Sequence, residues 1–557
     1  MKQILKDILK TLSRRETQKL WQLTVADIFI SILDIVFLIS LLYVVNFYTQ
    51  SGVPHASAAH MRVTFFNEHP IFLIVIFLFL FTIKNIIGFL VSRAQYNYVY
   101  GVASRISGDS LSAYLNGPYS DYIQVDSSVI NRKISQQPVE FCHYVLNGVQ
   151  QIFSQIVLIL ITLIAVVIFN PLLLPLLLLI LVPPIFLITF FVRKKLHEGR
   201  MQGKRISEKS IQHLQEALTG YVESNMYFKN DFFTNRYQRF QSQLNHYLSD
   251  RLTIQNMPTR FIEVFAVFGL FLLILFNFLH SGQPAVPFIT LGALMVAAYK
   301  IIPGIVKITN LAGQAKTYAY SAKGLKYTEA TSADEHDTSD FISSVCFDNI
   351  YFAFSDRSIL RSFCLKIAKG EMIGISGMSG RGKTTLVNLL VGFLSPDSGL
   401  IYINGVNADA QARKQWRTRI SYVKQQHFFL YGTIAENITF EEMHYDRKRL
   451  NDILALTGID QMLPLLPHGL DTVITENGKN LSGGQRQRFM LARALYKDFD
   501  LLILDEPFNE LDKAAEIQLL KHLRMMADTG KMILLITHNS DALAFCHQTI
   551  QLDNVEK

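Results

Sequence analysis

The chain is short of charge: only 18% of its 557 residues are Asp, Glu, Lys or Arg, against about 25% in soluble domains. Mean hydropathy is positive, at +0.23. The deficit is concentrated in long apolar stretches between residues 20 and 310, which excludes a wholly soluble protein. Cysteine is scarce as well. Cys142, Cys346, Cys364 and Cys546 lack metal-ligand spacing, so reduced thiols on a cytoplasmic side are expected. No internal repeat is present. A cleavable leader is not expected either: Met1–Lys19 is a basic, amphipathic lead-in with Leu5, Ile8, Leu9 and Leu12 at helical spacing, expected as a solvated helix before the first span. The formal net charge of +8 does not point to nucleic acid, because the Lys and Arg residues cluster beside apolar segments rather than on one soluble face.

What is present divides the chain. It is too long for one core. Six segments, near 21–48, 69–92, 145–169, 171–192, 260–280 and 287–310, are apolar over the ~20 residues that a helix needs to cross a bilayer. The third and fourth are separated by Asn170-Pro171, and the fifth and sixth by a turn at 281–287. Lys2, Lys6, Lys10, Arg14, Arg15 and Lys19 precede the first span, and Arg193, Lys194, Lys195, Arg200, Lys204 and Arg205 follow the fourth. The two hairpin turns have no Lys or Arg. By the positive-inside rule both termini and both long loops are cytoplasmic.

The long loops, 93–144 and 193–258, are helical in pattern (Ile211, Leu214, Leu218 and Tyr221, for example) and read as extensions of the membrane helices. Asn116-Gly-Pro-Tyr-Ser120 supplies turn chemistry for the first reversal, and Phe228-Lys-Asn-Asp-Phe232 a weaker signal for the second. The polar, acidic stretch at 326–340 marks the domain boundary. The architecture expected is an all-α six-helix transmembrane domain with long cytoplasmic helical extensions over 1–325, the linker at 326–340, and an α/β domain over 341–557.

Met372–Ser376 reads as a buried strand running into Gly377-Met-Ser-Gly-Arg-Gly-Lys-Thr384 and then a helix, which is a P-loop in strand–loop–helix context. Backbone N–H groups of such a loop (Gly377, Ser379, Gly380, Gly382, with Thr385 behind) close around phosphates at a helix N-terminus. Lys383 reaches the β/γ-phosphates and Thr384 offers a hydroxyl to Mg²⁺. Downstream, the apolar strand 501–504 ends in Asp505 and Glu506, suited to holding Mg²⁺ and polarising the attacking water.

Leu481-Ser482-Gly483-Gly484-Gln485 resembles the signature motif of ABC ATPases, and further elements of that family occur in its order. Phe354 stands where the family places an aromatic against adenine. Gln425 matches the Q-loop glutamine, a sensor of Mg²⁺ and of the membrane domain. Asp512 matches the D-loop acid, and His538 the switch histidine that contacts the γ-phosphate. The whole chain is similar to an ABC exporter half-transporter, which implies ATP and Mg²⁺ as ligands, a bacterial inner-membrane location and a second subunit. A homodimer is expected; a different half-transporter as partner stays open. The resemblance also implies that Ser482, Gly483 and Gly484 close on the partner's nucleotide, and that turns near 116–124 and 227–233 are coupling helices. Thr475-Glu476 resembles the exporter-type contact to those loops. One departure is the D-loop, Phe508-Asn-Glu-Leu-Asp512, where Glu510 adds a charge that the family commonly lacks.

The cargo is read from charges inside spans, where each costs ~2.5–3.5 kcal/mol on insertion scales. Lys84 lies about 15 residues into the second span and Lys300 about 13 into the sixth, so at ~1.5 Å per residue both sit roughly 20 Å below the outer surface. With Arg260 they are candidates for a basic belt facing a cavity, able to hold an anionic head group. Snorkelling to lipid phosphates is the plainer alternative, and Asp27, Asp34 and Glu263 are available to pair with the bases. Tyr114–Tyr119 and Tyr299–Pro303 are similar to segments of lipid-linked oligosaccharide flippases and of related peptide exporters. The substrate expected is therefore amphipathic: a lipid, a lipid-linked oligosaccharide or a peptide. An ATP-gated channel is the reading from a different class.

Overall fold

A computed structural model describes residues 2–49, 70–169, 171, 175, 200–279, 288–319, 341–354, 357–378, 380–441 and 444–552. The chain forms two compact units, Met1–Thr331 and Ser332–Lys557. The division falls in the stretch expected as linker, which itself lies outside the described residues.

The first unit is helical. Helices Arg14–Thr49, Pro70–Leu115, Asn147–Phe169, Asn230–Leu279 and Phe288–Tyr318 occupy five of the six expected spans; the expected fourth, at 171–192, lies outside the described residues except for Pro171 and Pro175. Among the described residues, Arg14–Leu41, Ile74–Leu115 and Ser127–Ile168 are long and apolar enough to cross a membrane. Pro70–Leu115 has 46 residues and so runs roughly 70 Å, more than twice the ~30 Å hydrocarbon core. Its second half therefore extends beyond a bilayer, as the loop pattern predicts.

The first reversal follows its turn chemistry. Gly117 N donates to Tyr114 O at 3.1 Å, Pro118 enters extended, and a short helix runs Tyr119–Gln124. The second reversal turns at Phe228, inside the expected Phe228–Phe232 segment, but the helix before it breaks earlier than the pattern implies. Helix Arg200–Thr219 stops at Gly220, so the row Ile211–Leu214–Leu218–Tyr221 is broken before its last member. The short helix lies at Tyr221–Met226 rather than at 227–233, Phe228 turns the chain with φ +51°, and Asn230 already starts the next helix. The break falls at Gly220, whose φ of −86° and ψ of 28° leave the helical region and where a Cβ would lie 3.0 Å from Glu216 O.

Two more features come from packing. The lead-in helix Lys2–Thr11 is not merely solvated: Ile4, Ile8 and Leu12 are buried against Tyr98, Val99, Val102 and Cys142, whereas Leu5 and Leu9 are exposed. Arg105 holds its end, donating to both carboxylate oxygens of Glu16 at 2.7 and 2.9 Å and to Thr11 O at 2.9 Å. In the first cytoplasmic extension, Pro138 has no N–H for the carbonyl of Ile134. That oxygen instead accepts from Ser107 Oγ at 2.6 Å, and the helix widens to π geometry over Arg132–Gln136 and Phe141–Leu146.

The second unit is α/β. Strands β1 (Ser344–Phe354), β2 (Arg357–Ala368), β4 (Ser398–Ile403) and β5 (Val406–Asn407) form an antiparallel sheet in the order β2-β1-β4-β5. Strands β3 (Met372–Ser376), β6 (Ile420–Val423), β9 (Leu501–Asp505), β10 (Met532–Ile536) and β11 (Gln548–Gln551) form a parallel sheet in the order β11-β3-β10-β9-β6. A small ribbon pairs β7 (Gly432–Thr433) with β8 (Val473–Ile474). All of β9 and β10 is buried, as continuous apolar strands covered on both faces must be. Parallel strands deliver their following loops to one sheet edge, where ligands of open α/β sheets bind.

Candidate functional site

The strand order aligns the predicted chemistry. β3 leads into Gly377, β10 into Thr537-His538, β9 into Glu506 and β6 toward Gln425, all at the carboxyl edge of adjacent strands. Helix Lys383–Leu390 starts immediately after Gly382, whose φ is +95°. A Cβ at that position would lie 2.7 Å from Ile359 Cγ2, so both backbone conformation and the approach of β2 require glycine there. Leu386, Val387, Leu389 and Leu390 bury the helix in the core, fixing its N-terminus at the loop. Thr384 is exposed in the first turn and Thr385 is buried behind it; Ser379 lies outside the described residues.

Lys383 Nζ donates to Gly377 O at 2.9 Å and lies 3.4 Å from Glu506 Oε1. The same oxygen is 3.0 Å from His538 Nδ1, and Glu506 Oε2 accepts from Thr537 Oγ1 at 3.4 Å. Glu506 is 7% exposed and has φ +50°, a strained backbone for a residue with a side chain. It is held in that conformation by its N–H to Ile536 O at 2.9 Å and by Gln487 Nε2, which donates to its carbonyl at 3.1 Å. Burial and the adjacent Glu506 anion push the Asp505 carboxyl above the ordinary range, with Lys383 opposing. Tyr422 OH approaches Asp505 Oδ2 at 3.5 Å.

This donor set fits a Mg²⁺–nucleotide. Among the described residues no cluster of three His, Cys, Asp or Glu could cage a metal, whereas Mg²⁺ is commonly held by one or two carboxylates together with phosphates and water. Asp505 and the exposed Thr384 hydroxyl are suited to that share. Gln425 is exposed in the segment after β6. Phe354 ends β1 with 47% of its surface exposed and its ring perpendicular to that of Phe352, 4.9 Å between centroids, which leaves surface available for stacking.

The signature residues hold their own helix together. Ser482 caps Gly483–Tyr496 in a capping box, its Oγ accepting from Gln485 N at 3.3 Å while Gln485 Oε1 accepts from Ser482 N at 2.8 Å. Leu481 is buried in the core and Ser482 is exposed. Asp512 caps Lys513–Asp528 through Ala515 N at 2.9 Å and meets Arg488 Nη2 at 3.2 Å. Residue-type reasoning does not single out Gln487, Thr537 or Tyr422. The register Ile536↔Asp505 sets Thr537 beside Glu506, a signal that needs the strand pairing.

In the helical unit, Lys84 and Lys300 converge on one acid. Lys84, 6% exposed, is hydrogen-bonded to Asp34 Oδ1, and Lys300 Nζ lies 3.8 Å from Asp34 Oδ2. Among the described residues the cluster joins three helices and holds one cation in excess. Of the acids available to pair with the bases, Asp34 does so, and that pairing weakens the reading of Lys84 and Lys300 as a basic belt. Arg260 is exposed on helix Asn230–Leu279.

Comparison with known proteins agrees with both halves. The family model of the ABC transporter transmembrane region matches residues 20–297, and that of the ABC transporter matches 360–509. An "ATP-dependent lipid A-core flippase" of Polaromonas sp. is 27% identical over 495 residues, 85% of this chain and 81% of that protein. A "probable ABC transporter ATP-binding/permease protein" of Haemophilus influenzae is 35% identical over 213 residues, 38% of each chain. A flippase of the same description from Cupriavidus metallidurans is 36% identical over 212 residues, but the match spans only 36% of its length. A solved structure, "a bacterial Atm1-family ABC exporter with ATP bound", superposes with TM-score 0.75 over 96% of this chain and 94% of the other at 18% identity, a likeness of fold.

Proposed function

The chain belongs to the ABC transporter family, and from that premise we propose that two copies form an exporter, in which ATP hydrolysis moves an amphipathic anionic lipid from the cytoplasmic side. The observation that carries the hydrolytic part is Glu506, buried and strained, with Lys383, Thr537 and His538 around its carboxylate. Such a base, fixed in place before substrate arrives, is preorganised to take a proton from water. When nucleotide enters, Lys383 turns from Glu506 to the phosphates, which frees the carboxylate oxygen for that water. His538 then holds the γ-phosphate edge. Thr384 and Asp505 would hold Mg²⁺, which when bound would neutralise charge on the β- and γ-phosphates. Phe354 stacks on the base, Gln425 reports the state of the site, and Ser482, Gly483 and Gly484 complete the partner's site.

A lipid cargo is supported by the names of the relatives and by the excess cation of the Asp34–Lys84–Lys300 cluster. Proteoliposomes test both halves: ATP-dependent translocation of a phosphorylated lipid is expected, with stimulation of ATPase that K84Q/K300Q removes. Passive current without net flux would contradict a pump. Unchanged lipid stimulation in K84Q/K300Q would remove the cluster from the substrate path.

A further inference from the structure

The D-loop carries a carboxylate that packs on the signature helix of its own chain. A Cβ placed on Gly483 would lie 2.5 Å from Glu510 Oε2 and 2.9 Å from its Cδ, and one on Gly484 would lie 2.9 Å from Glu510 O. The side chain is exposed, so solvent, not packing, surrounds the rest of it. Its backbone is anchored: Glu510 N donates to Gln487 Oε1 at 3.0 Å, and the other end of that buried amide donates to Glu506 O. Gln487 thus ties the signature helix, the catalytic strand end and Glu510 into one unit. His427, two residues after Gln425, lies within electrostatic reach of Glu510.

We propose that Glu510 is a built-in brake: its carboxylate occupies the anion-favouring end of the signature helix in the resting chain and must swing away before the partner's nucleotide can dock there. The proposal rests on the reading of Ser482–Gly484 as acting in trans. The first turn of a helix favours one anion, and a second one arriving as phosphate meets Glu510 as a like charge at a surface that becomes desolvated on closure. A surface arginine or lysine could not serve in this way, and an alanine would leave the helix end open.

The test is MgATP titration of ATPase activity in the full-length protein in lipid nanodiscs, comparing wild type, E510Q, E510D and S482R. E510Q keeps the side-chain shape and removes the charge. Its KM for ATP should fall about 3-fold at low salt, and the difference should shrink as ionic strength rises. E510D keeps the charge and should stay near the wild-type KM. An unchanged or raised KM in E510Q, or an equal fall in E510D, overturns the brake. S482R mixed with K383A chains separates the two layers: recovery of hydrolysis in the mixture upholds the trans reading independently of Glu510, whereas activity no higher than that of either parent overturns that reading itself and the brake with it.

Discussion

Asp34 is the common partner of two ammonium groups, and this makes the three positions unequal. D34N removes the charge that compensates Lys84, whose side chain is nearly buried, and leaves Lys300 facing it across the same space. Breaking a buried pair by deleting one partner costs about 3–5 kcal/mol. The Asp34 and Lys300 side chains remain 31% and 24% exposed, and where that surface faces the water-filled cavity of the proposed exporter, screening reduces the cost to about 2 kcal/mol. K84Q costs less, because Asp34 keeps Lys300. In D34N/K84Q a single ammonium remains, one with access to water, and most of the loss should be recovered. Expressed on the unfolding step, 2 kcal/mol is about 30-fold faster heat inactivation. The assay is the half-life of ATPase activity in nanodiscs at a fixed temperature near the wild-type midpoint. The expected order is wild type slowest, then K84Q and the double variant together, and D34N fastest. A D34N protein as durable as K84Q would refute the shared-partner geometry.

Two further outcomes follow from the nucleotide site. E506Q should lower kcat by about 10²- to 10⁴-fold while nucleotide is still retained, read by phosphate release and by filter-bound ATP; more than a tenth of wild-type turnover would remove Glu506 from the base role. D505N should stabilise the nucleotide-free protein in EDTA near pH 7. The folded-state pKa of Asp505 is raised, so the folded chain holds the proton to higher pH than the unfolded chain, and stability is lost as pH rises above the ordinary carboxylate value. D505N removes that loss, and melting followed from pH 4 to 7 should show a shallower decline than wild type; parallel curves would contradict the assignment.

Local patterns carry most of the nucleotide site into view. A P-loop lysine, an acid pair ending an apolar strand and a Ser-Gly-Gly helix start each depend on residues close in sequence. The parallel strand order then sets Lys383, Glu506 and His538 side by side. What local pattern does not supply is contact between residues far apart along the chain. Asp34 is 50 residues from Lys84, and the carbonyl of Ile134 that Pro138 leaves open is answered by Ser107, 27 residues before it. Gln487 is one polar residue among several on its helix, and only the folded chain puts its two amide ends on Glu506 and Glu510. The lead-in helix departs from expectation for a related reason: its apolar face is Ile4, Ile8 and Leu12, a spacing that only the packed partner picks out from Leu5 and Leu9.

The central claim is that each ATP site is completed by the other subunit. A mixture of K383A and S482R chains tests it directly. If the signature acts in trans, the mixed dimer contains one intact site, made of the S482R chain's P-loop and the K383A chain's signature. Random pairing makes half of the dimers mixed, each with one of two sites intact, so about a quarter of wild-type ATPase should return. Neither parent alone should show it. If both elements of a site come from one chain, every site in the mixture carries a defect, and activity no higher than that of the parents would contradict the account.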